Sequence, residues 1–294
     1  MQEPCMAIAT NEHGRVLGHM LMVISYHTLI FAPRAYSHAK VYGEGEYDDS
    51  IHASANSKEL IFKRFLKALT EHMRSKRCLY IEFSDLCTKM FGYDYFRQNG
   101  YFPILWQEVH NSLHNTHPYN RLPEKTRQKI TYAEQRGLKA CLIKGAGNDF
   151  TKTVKLLRSH FRLKPRRYVP PLKYFCNLAE SEHCKIMISK YKNKIVGACL
   201  CIISGDNSYV WYLASRRKSF APLYPATFTM WKTIEHLHEA GTAHIRFLDA
   251  GLPFKRGTTR NFILGFGGKP ISKYRWFKIP VKWLTKILDW CYND

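Results

Sequence analysis

Apolar and polar positions along this chain fall into two matched series. GRVLGHMLMVIS, from Gly14 to Ser25, reads against NKIVGACLCIIS, from Asn193 to Ser204: a polar turn, an aliphatic pair, a glycine, six mostly apolar residues and a serine, with Gly18 over Gly197 and Ser25 over Ser204. Runs of this kind bounded by turn residues predict strands, and each copy reads as the second arm of a hairpin. The same order then recurs in both halves. An apolar or aromatic strand (around Thr28 to Ala32 in the first copy) leads to an amphipathic helix (Lys58 to Arg74; Thr227 to Ala240). A short strand follows (CLYIEF from Cys78; AHIRFL from Ala243), and then an aromatic-glycine-aromatic element (Phe96 to Tyr101; Phe262 to Phe266). Duplicated α/β lobes usually hold their ligand between them, so the repeat points to a site as well as to a fold.

Between these series the chain punctuates itself. Asn56-Ser57-Lys58-Glu59 opens the first helix with a capping-box pattern, and Ile61, Phe62, Phe65, Leu66 and Leu69 form one apolar stripe behind it. In the second half, a helix has Pro123 near its start and Gly137 at its end, and another follows Asn148-Asp149 with Phe150, Val154, Leu157 and Phe161 spaced for burial. KPRRYVPP, from Lys164, is a stiff connector. A hairpin turns at Lys192-Asn193, SYVWYLAS is a further strand, and PVKWLTKILDWCY is an amphipathic helix that either docks on the domain or lies on a membrane. HNSLHNTHP, from His110, is polar and closed by Pro118, which sets the expected domains at 1–114, lacking its opening elements, and 115–294.

Charge sharpens this division. Of 45 Lys plus Arg and 23 Asp plus Glu, residues 1–114 hold 12 of each, so the whole net charge of +22 belongs to residues 115–294. A surface that basic suits tRNA, nucleotide carriers or an anionic membrane, or is simply solvated. Nine cysteines without a Cys-x-x-Cys pair imply reduced thiols in a cytoplasmic protein, and no apolar stretch is long enough to cross a bilayer. His110, His114 and His117 lack acidic or thiol partners at ligand spacing, so no metal is expected. The short glycine pairs at 43–45 and 145–147 lack a dinucleotide-binding context, and no Gly-x-Ser-x-Gly elbow occurs.

Tyr95-Phe96-Arg97-Gln98-Asn99-Gly100-Tyr101 resembles the Phe-Tyr-x-x-x-Gly-Phe stretch of GNAT-type acyltransferases. EKTRQKITYAEQRGL, NKIVGACLCII, EAG with IRFLDAG, and NFILGFGGKPISKYRWF give the second half the closer likeness. Two such halves in one chain resemble the Fem aminoacyltransferases and the FemAB-like or BioF2-like domains. The resemblance implies an α/β (α+β) fold of two tandem GNAT-like domains, each a mixed, mostly antiparallel twisted sheet flanked by helices. It also implies acyl-coenzyme A or aminoacyl-tRNA as donor. Two departures stand out. Where the family's pyrophosphate loop has Arg/Gln-x-x-Gly-x-Gly/Ala, this chain has Arg216-Arg217-Lys218-Ser219-Phe220-Ala221, and where Fem enzymes carry a Phe-Lys pair it has Phe262-Ile263.

Acyl transfer to an amine needs a held donor, a deprotonated amine and stabilisation of the tetrahedral oxyanion. Arg216, Arg217, Lys218 and Ser219 are the candidates for donor phosphates. Asp249, at a strand end, either orients or deprotonates the amine or caps a turn; Lys255 and Arg260 are candidates for the missing cation, and Tyr212, Arg256 and Phe262 for the substrate cleft. The function implied is transfer of an acyl or aminoacyl group from coenzyme A or tRNA to an amine, with a cell-wall or surface-glycan precursor, lipid-linked or not, as candidate acceptor. A cytoplasmic enzyme with peripheral membrane contact fits this. The alternative is a noncatalytic binder of nucleic acid or anionic membrane that keeps the fold without the chemistry.

Overall fold

A computed structural model describes residues 2–293 apart from 30–31, 53–54, 85, 87–91, 115, 144, 146, 162–168 and 254–256. The chain opens with β1 (Gln2–Thr10), β2 (Val16–Leu29), β3 (Ala32–Tyr42) and the short β4 (Glu46–Tyr47). Then come α1 (Asp49–His52), α2 (Ala55–Ser75), β5 (Ile81–Ser84), α3 (Tyr93–Gln98) and β6 (Phe102–Ser112). It continues through α4 (Glu124–Gln135), β7 (Lys139–Leu142), α5 (Asn148–Phe161), α6 (Leu172–Ala179), β8 (Cys184–Tyr191), β9 (Lys194–Ser204) and β10 (Asn207–Ser215). The last elements are α7 (Arg217–Phe220), α8 (Pro225–Glu239), β11 (His244–Gly251), α9 (Thr258–Leu264), β12 (Lys269–Lys278) and α10 (Lys282–Asn293).

Two compact units result, one of residues 1–106 with 272–294 and one of residues 107–271. This differs from the expected division at 114/115. The polar stretch from His110 begins inside a strand, because β6 continues to Ser112 and pairs antiparallel with β11, Ser112 opposite His244 and Val109 opposite Phe247. The tail expected in the second domain packs in the first unit, since β12 pairs antiparallel with β5, Trp276 opposite Phe83, and the Arg97 guanidinium bonds the Asp289 carboxylate of α10 at 3.3 Å. The segment expected as a strand at Thr28 to Ala32 spans the end of β2 and the start of β3.

In the first unit β1 and β2 form an antiparallel hairpin, β3 joins β2 antiparallel, and β5 lies parallel to β3. Met20, Met22 and Ile24 alternate inward along β2 while Leu21 is exposed, the period of a half-buried strand. The α2 stripe of Phe62, Phe65, Leu66, Leu69 and Met73 closes over that face. Trp276 stacks on Phe96 with ring centres 4.8 Å apart, and Phe96 meets Phe62 and Phe83 edge-on. On α10, Trp283, Ile287 and Trp290 remain exposed. Glu3, Cys5 and His72 bring their donor atoms together, with the Lys76 ammonium 2.5 Å from the Glu3 carboxylate.

The second unit is ordered β6-β11-β10-β9-β8-β7, antiparallel except for β10 beside β11. Its centre is β9, buried from Ile195 to Cys201. Both faces of this strand are covered: Val196 packs with Phe228 of α8, while Ala198 and Leu200 pack with Phe150, Leu157 and Phe175 of α5 and α6. Such double burial explains an uninterrupted apolar run in place of alternation. Among the described residues no helix is long and apolar enough to cross a membrane.

Candidate active site in the second unit

The site is built where β10 and β11 part. These strands are paired over three positions, Asn207 with His244, Ser208 with Ile245 and Tyr209 with Arg246. Beyond them both deviate. The register of β10 against β9 slips between Val210 and Tyr212, placing a bulge at Trp211, and the register of β11 against β6 slips between Phe247 and Gly251, the segment that carries Asp249. Bulges re-aim side chains and end pairing. With a slip on each strand, the pairing of β10 with β11 ends after Tyr209 and Arg246, and the wedge between their unpaired continuations is the candidate site.

Close packing fixes β9, the neighbour of β10. α8 lies against β8 and β9 at Gly197, where a Cβ would overlap the Thr229 hydroxyl and come within 2.5 Å of Ser189 Oγ. Those two hydroxyls are themselves bonded at 2.6 Å, both buried. Gly18 of the first unit is equally constrained but by a different neighbour, the Glu46 carbonyl oxygen of β4, 2.8 Å from its would-be Cβ. The recurring glycine is therefore a point of close approach in both copies.

At the end of β10 the chain does not form a glycine-rich cradle. The Arg216 N–H donates to the Val196 carbonyl at 2.8 Å and its guanidinium Nε to the Ile195 carbonyl at 3.0 Å. α7 and a 3-10 turn over Ala221–Leu223 follow, and Tyr224 adopts φ 48° before Pro225 starts α8. Ser219 is exposed on this turn, whereas the Arg217 and Lys218 side chains lie outside the described residues. Behind the loop, His160 Nδ1 at the end of α5 lies 3.2 Å from the Ser215 carbonyl oxygen.

Asp249 is exposed on its bulged segment. Lys255 and Arg256 lie outside the described residues. Arg260 is committed to shaping the loop after β11: its Nη1 donates to Gln107 Oε1 at 2.7 Å and to the Pro253 and Leu252 carbonyls at 2.9 and 3.1 Å. Phe262 is half-buried edge-on to Phe266, with centres 5.2 Å apart, and Ile263 is buried in the core, so no cation occupies that position. Tyr212, expected at the cleft, is corrected to a core residue. It is buried between Phe161 and Phe175 because the strand alternates at the bulge and turns Trp211 outward instead. His160 escaped the sequence reading; Trp211 and Tyr212 alternate along the strand, so only one of them can face a ligand, and which one depends on the bulge.

Burial pushes the Cys184 thiol up to about 11, and the neighbouring Cys199 sulfur, 3.9 Å away, together with burial raises that of Cys201. Thiols held protonated are poor nucleophiles and poor metal ligands.

Residues 124–256 match the model of the acetyltransferase (GNAT) domain family. Solved structures match nearly the whole chain. FemX is similar at 11% identity and a TM-score of 0.60, covering 98% of this chain and 90% of its own. L-PGS from Bacillus licheniformis is similar at 11% and 0.62, with 98% and 90% covered. A tandem GNAT protein from the clavulanic acid biosynthesis pathway is similar at 10% and 0.59, with 95% and 83% covered. No curated protein matches the sequence. At such identities the likeness is one of fold: residues 124–256 match the GNAT acetyltransferase domain family, and the chain as a whole shares its fold with FemX, L-PGS and a tandem GNAT protein.

Proposed function

We propose that the chain transfers an acyl or aminoacyl group to an amine in the wedge between β10 and β11. The observation that carries this reading is the parting of two parallel strands after three paired positions, with a bulge on each side of the opening. An extended acyl donor can lie along the strand edge that pairing leaves available. The amine nitrogen attacks the acyl carbon, the bond from that carbon to the carrier's sulfur or oxygen breaks, and the carrier leaves as a thiolate or alkoxide that takes up a proton. Asp249 accepts the proton that the amine nitrogen gives up as its bond to the acyl carbon forms. Arg216, Arg217 and Lys218 hold the donor phosphates as side-chain cations, since Ser219 stands where the family's cradle has its central glycine. With Ile263 buried, the oxyanion falls to Lys255 or Arg256. The charge of residues 115–294 favours aminoacyl-tRNA over coenzyme A as carrier. The exposed stripe Trp283, Ile287 and Trp290 on α10 supports peripheral contact with a membrane, where a lipid-linked amine acceptor is found.

Purified protein supplied with acetyl-coenzyme A or with charged tRNA and a panel of amines should release thiol or uncharged tRNA only when an acceptor is present. Asp249→Asn should lower turnover at least ~100-fold; transfer undiminished in that variant would remove Asp249 from the reaction. A second reading, a noncatalytic polyanion binder, is favoured by the same charge and by the buried Ile263. It requires acceptor-independent binding that weakens steeply with salt and no turnover with either donor.

A further inference from the structure

We propose that the second unit holds a separate binding site for a small phosphate ester, at the start of β11. A cavity of about 550 Å³ there is lined by His110, Asn111 and Ser112 of β6, Arg121, His244 and Arg246 of β11, Gly267, and Lys269 and Ile271 of β12. All of these belong to residues 107–271.

The pairing of β6 with β11 sets Arg246 opposite His110 and His244 opposite Ser112, so side-chain alternation puts these four on one face of the sheet. Val109 points the other way, toward the core, and the buried Asn111 donates from Nδ2 to the Phe266 carbonyl at 2.7 Å and pins β6 to the turn before β12. At that turn Gly267 has φ 84°, and a Cβ there would lie 2.8 Å from the Arg121 Cβ. The glycine thus lets Arg121 close over the cavity, where its guanidinium donates to the Ser112 carbonyl.

Charge decides what the cavity suits. Arg121, Arg246 and Lys269 line it, and the acid nearby, Glu108, is bonded to His110 Nε2 at 2.9 Å. Among the described residues neither Arg246 nor Lys269 makes an ion pair; Arg246 lies over the Tyr209 ring with its carbon 6.0 Å from the centre. Three cations around a concave surface are stabilised by a multiply charged anion, and phosphate meets arginine with paired hydrogen bonds. The volume exceeds that of inorganic phosphate and falls in the range of pockets that take small organic ligands. Ile271 and the two histidine rings offer the organic part a partly apolar wall. The site differs from the wedge in place and in residues, because it lies where β10 and β11 are paired and not where they part.

Titration calorimetry with the full chain tests this. Adenosine monophosphate and glucose 1-phosphate serve as two phosphate esters of different organic parts, with inorganic phosphate as reference. Saturable binding of at least one ester, at least ~10-fold tighter than inorganic phosphate, is expected. Arg246→Gln and Lys269→Gln should each weaken it ~10-fold or more, while Arg216→Ala, at the donor loop, leaves it unchanged; which ester binds more tightly identifies the organic part. A melting temperature within a degree of the parent shows that the exposed Lys269→Gln variant is folded. Absence of saturable binding, equal affinity for inorganic phosphate, or affinity unaffected by both cavity variants overturns the proposal. An ester site lost with Arg216→Ala but not with Lys269→Gln overturns it too and assigns the ligand to the wedge.

Discussion

Single atoms decide several features of this protein. Gly197 is required because α8 presses on β9 there, so Gly197→Ala must displace either the helix or the Ser189–Thr229 hydroxyl pair. A loss of roughly 2 kcal/mol or more is expected from such overpacking. Gly147→Ala, where a Cβ meets nothing within 4 Å, should be neutral, and chemical denaturation of the two variants checks the contrast. His38 gives the second case at this scale. Its ring is stacked between His27 and Tyr80, at 4.9 Å from each, and burial followed by the neighbouring His27 lowers its pKa to about 4. A folded value below the unfolded one means that the neutral ring stabilises the fold. That contribution is complete above about pH 6.5 and is lost as pH falls toward 4, by up to roughly 3 kcal/mol. Urea midpoints across this window should fall in the parent and flatten in His38→Phe.

At the scale of elements, the loop after β11 depends on Arg260. One nitrogen gathers a side-chain oxygen and two carbonyls, so Arg260→Gln should cost about 2 kcal/mol in stability and reduce acyl transfer at least ~10-fold; calorimetric melting with a transfer assay separates the two effects. Transfer retained in a destabilised variant would restrict Arg260 to structure. Much at this scale was legible in the sequence. The hairpin arms at Gly18 and Gly197, the α2 stripe, α4 closed by Gly137, α5 and α10 follow from periodicity and caps, which are local properties. The short α6 and the edge strand β1 were not, because neither carries a long enough period. The wedge was legible in part: Asp249 could be put at a strand end, but Tyr212 was assigned to the cleft because a bulge, set by the partner strand, leaves no mark in the composition.

At the scale of the whole molecule the repeat predicted two lobes, and the family match and fold comparisons agree with tandem GNAT architecture. What the sequence hid was which residues complete which lobe. Composition placed a break at a histidine-rich polar stretch; hydrogen bonding carries β6 into its first three residues, and β12 is paired with β5, nearly two hundred positions earlier. Periodicity is blind to such distant pairing, since a strand's side-chain pattern says that it has a partner and not which one.

That late arrival of β12 has a consequence for biogenesis. β12 pairs with β5 inside the first unit, so during translation residues 1–106 must wait, with their sheet incomplete and the Phe96 ring lacking the Trp276 cover, until residues 272–278 leave the ribosome. A released chain truncated after Ile271 should stay protease-sensitive through residues 1–106 while 107–271 is protected, and addition of the 23-residue peptide 272–294 should confer resistance on the first. Simultaneous protection of both in the truncated chain would refute this order of events.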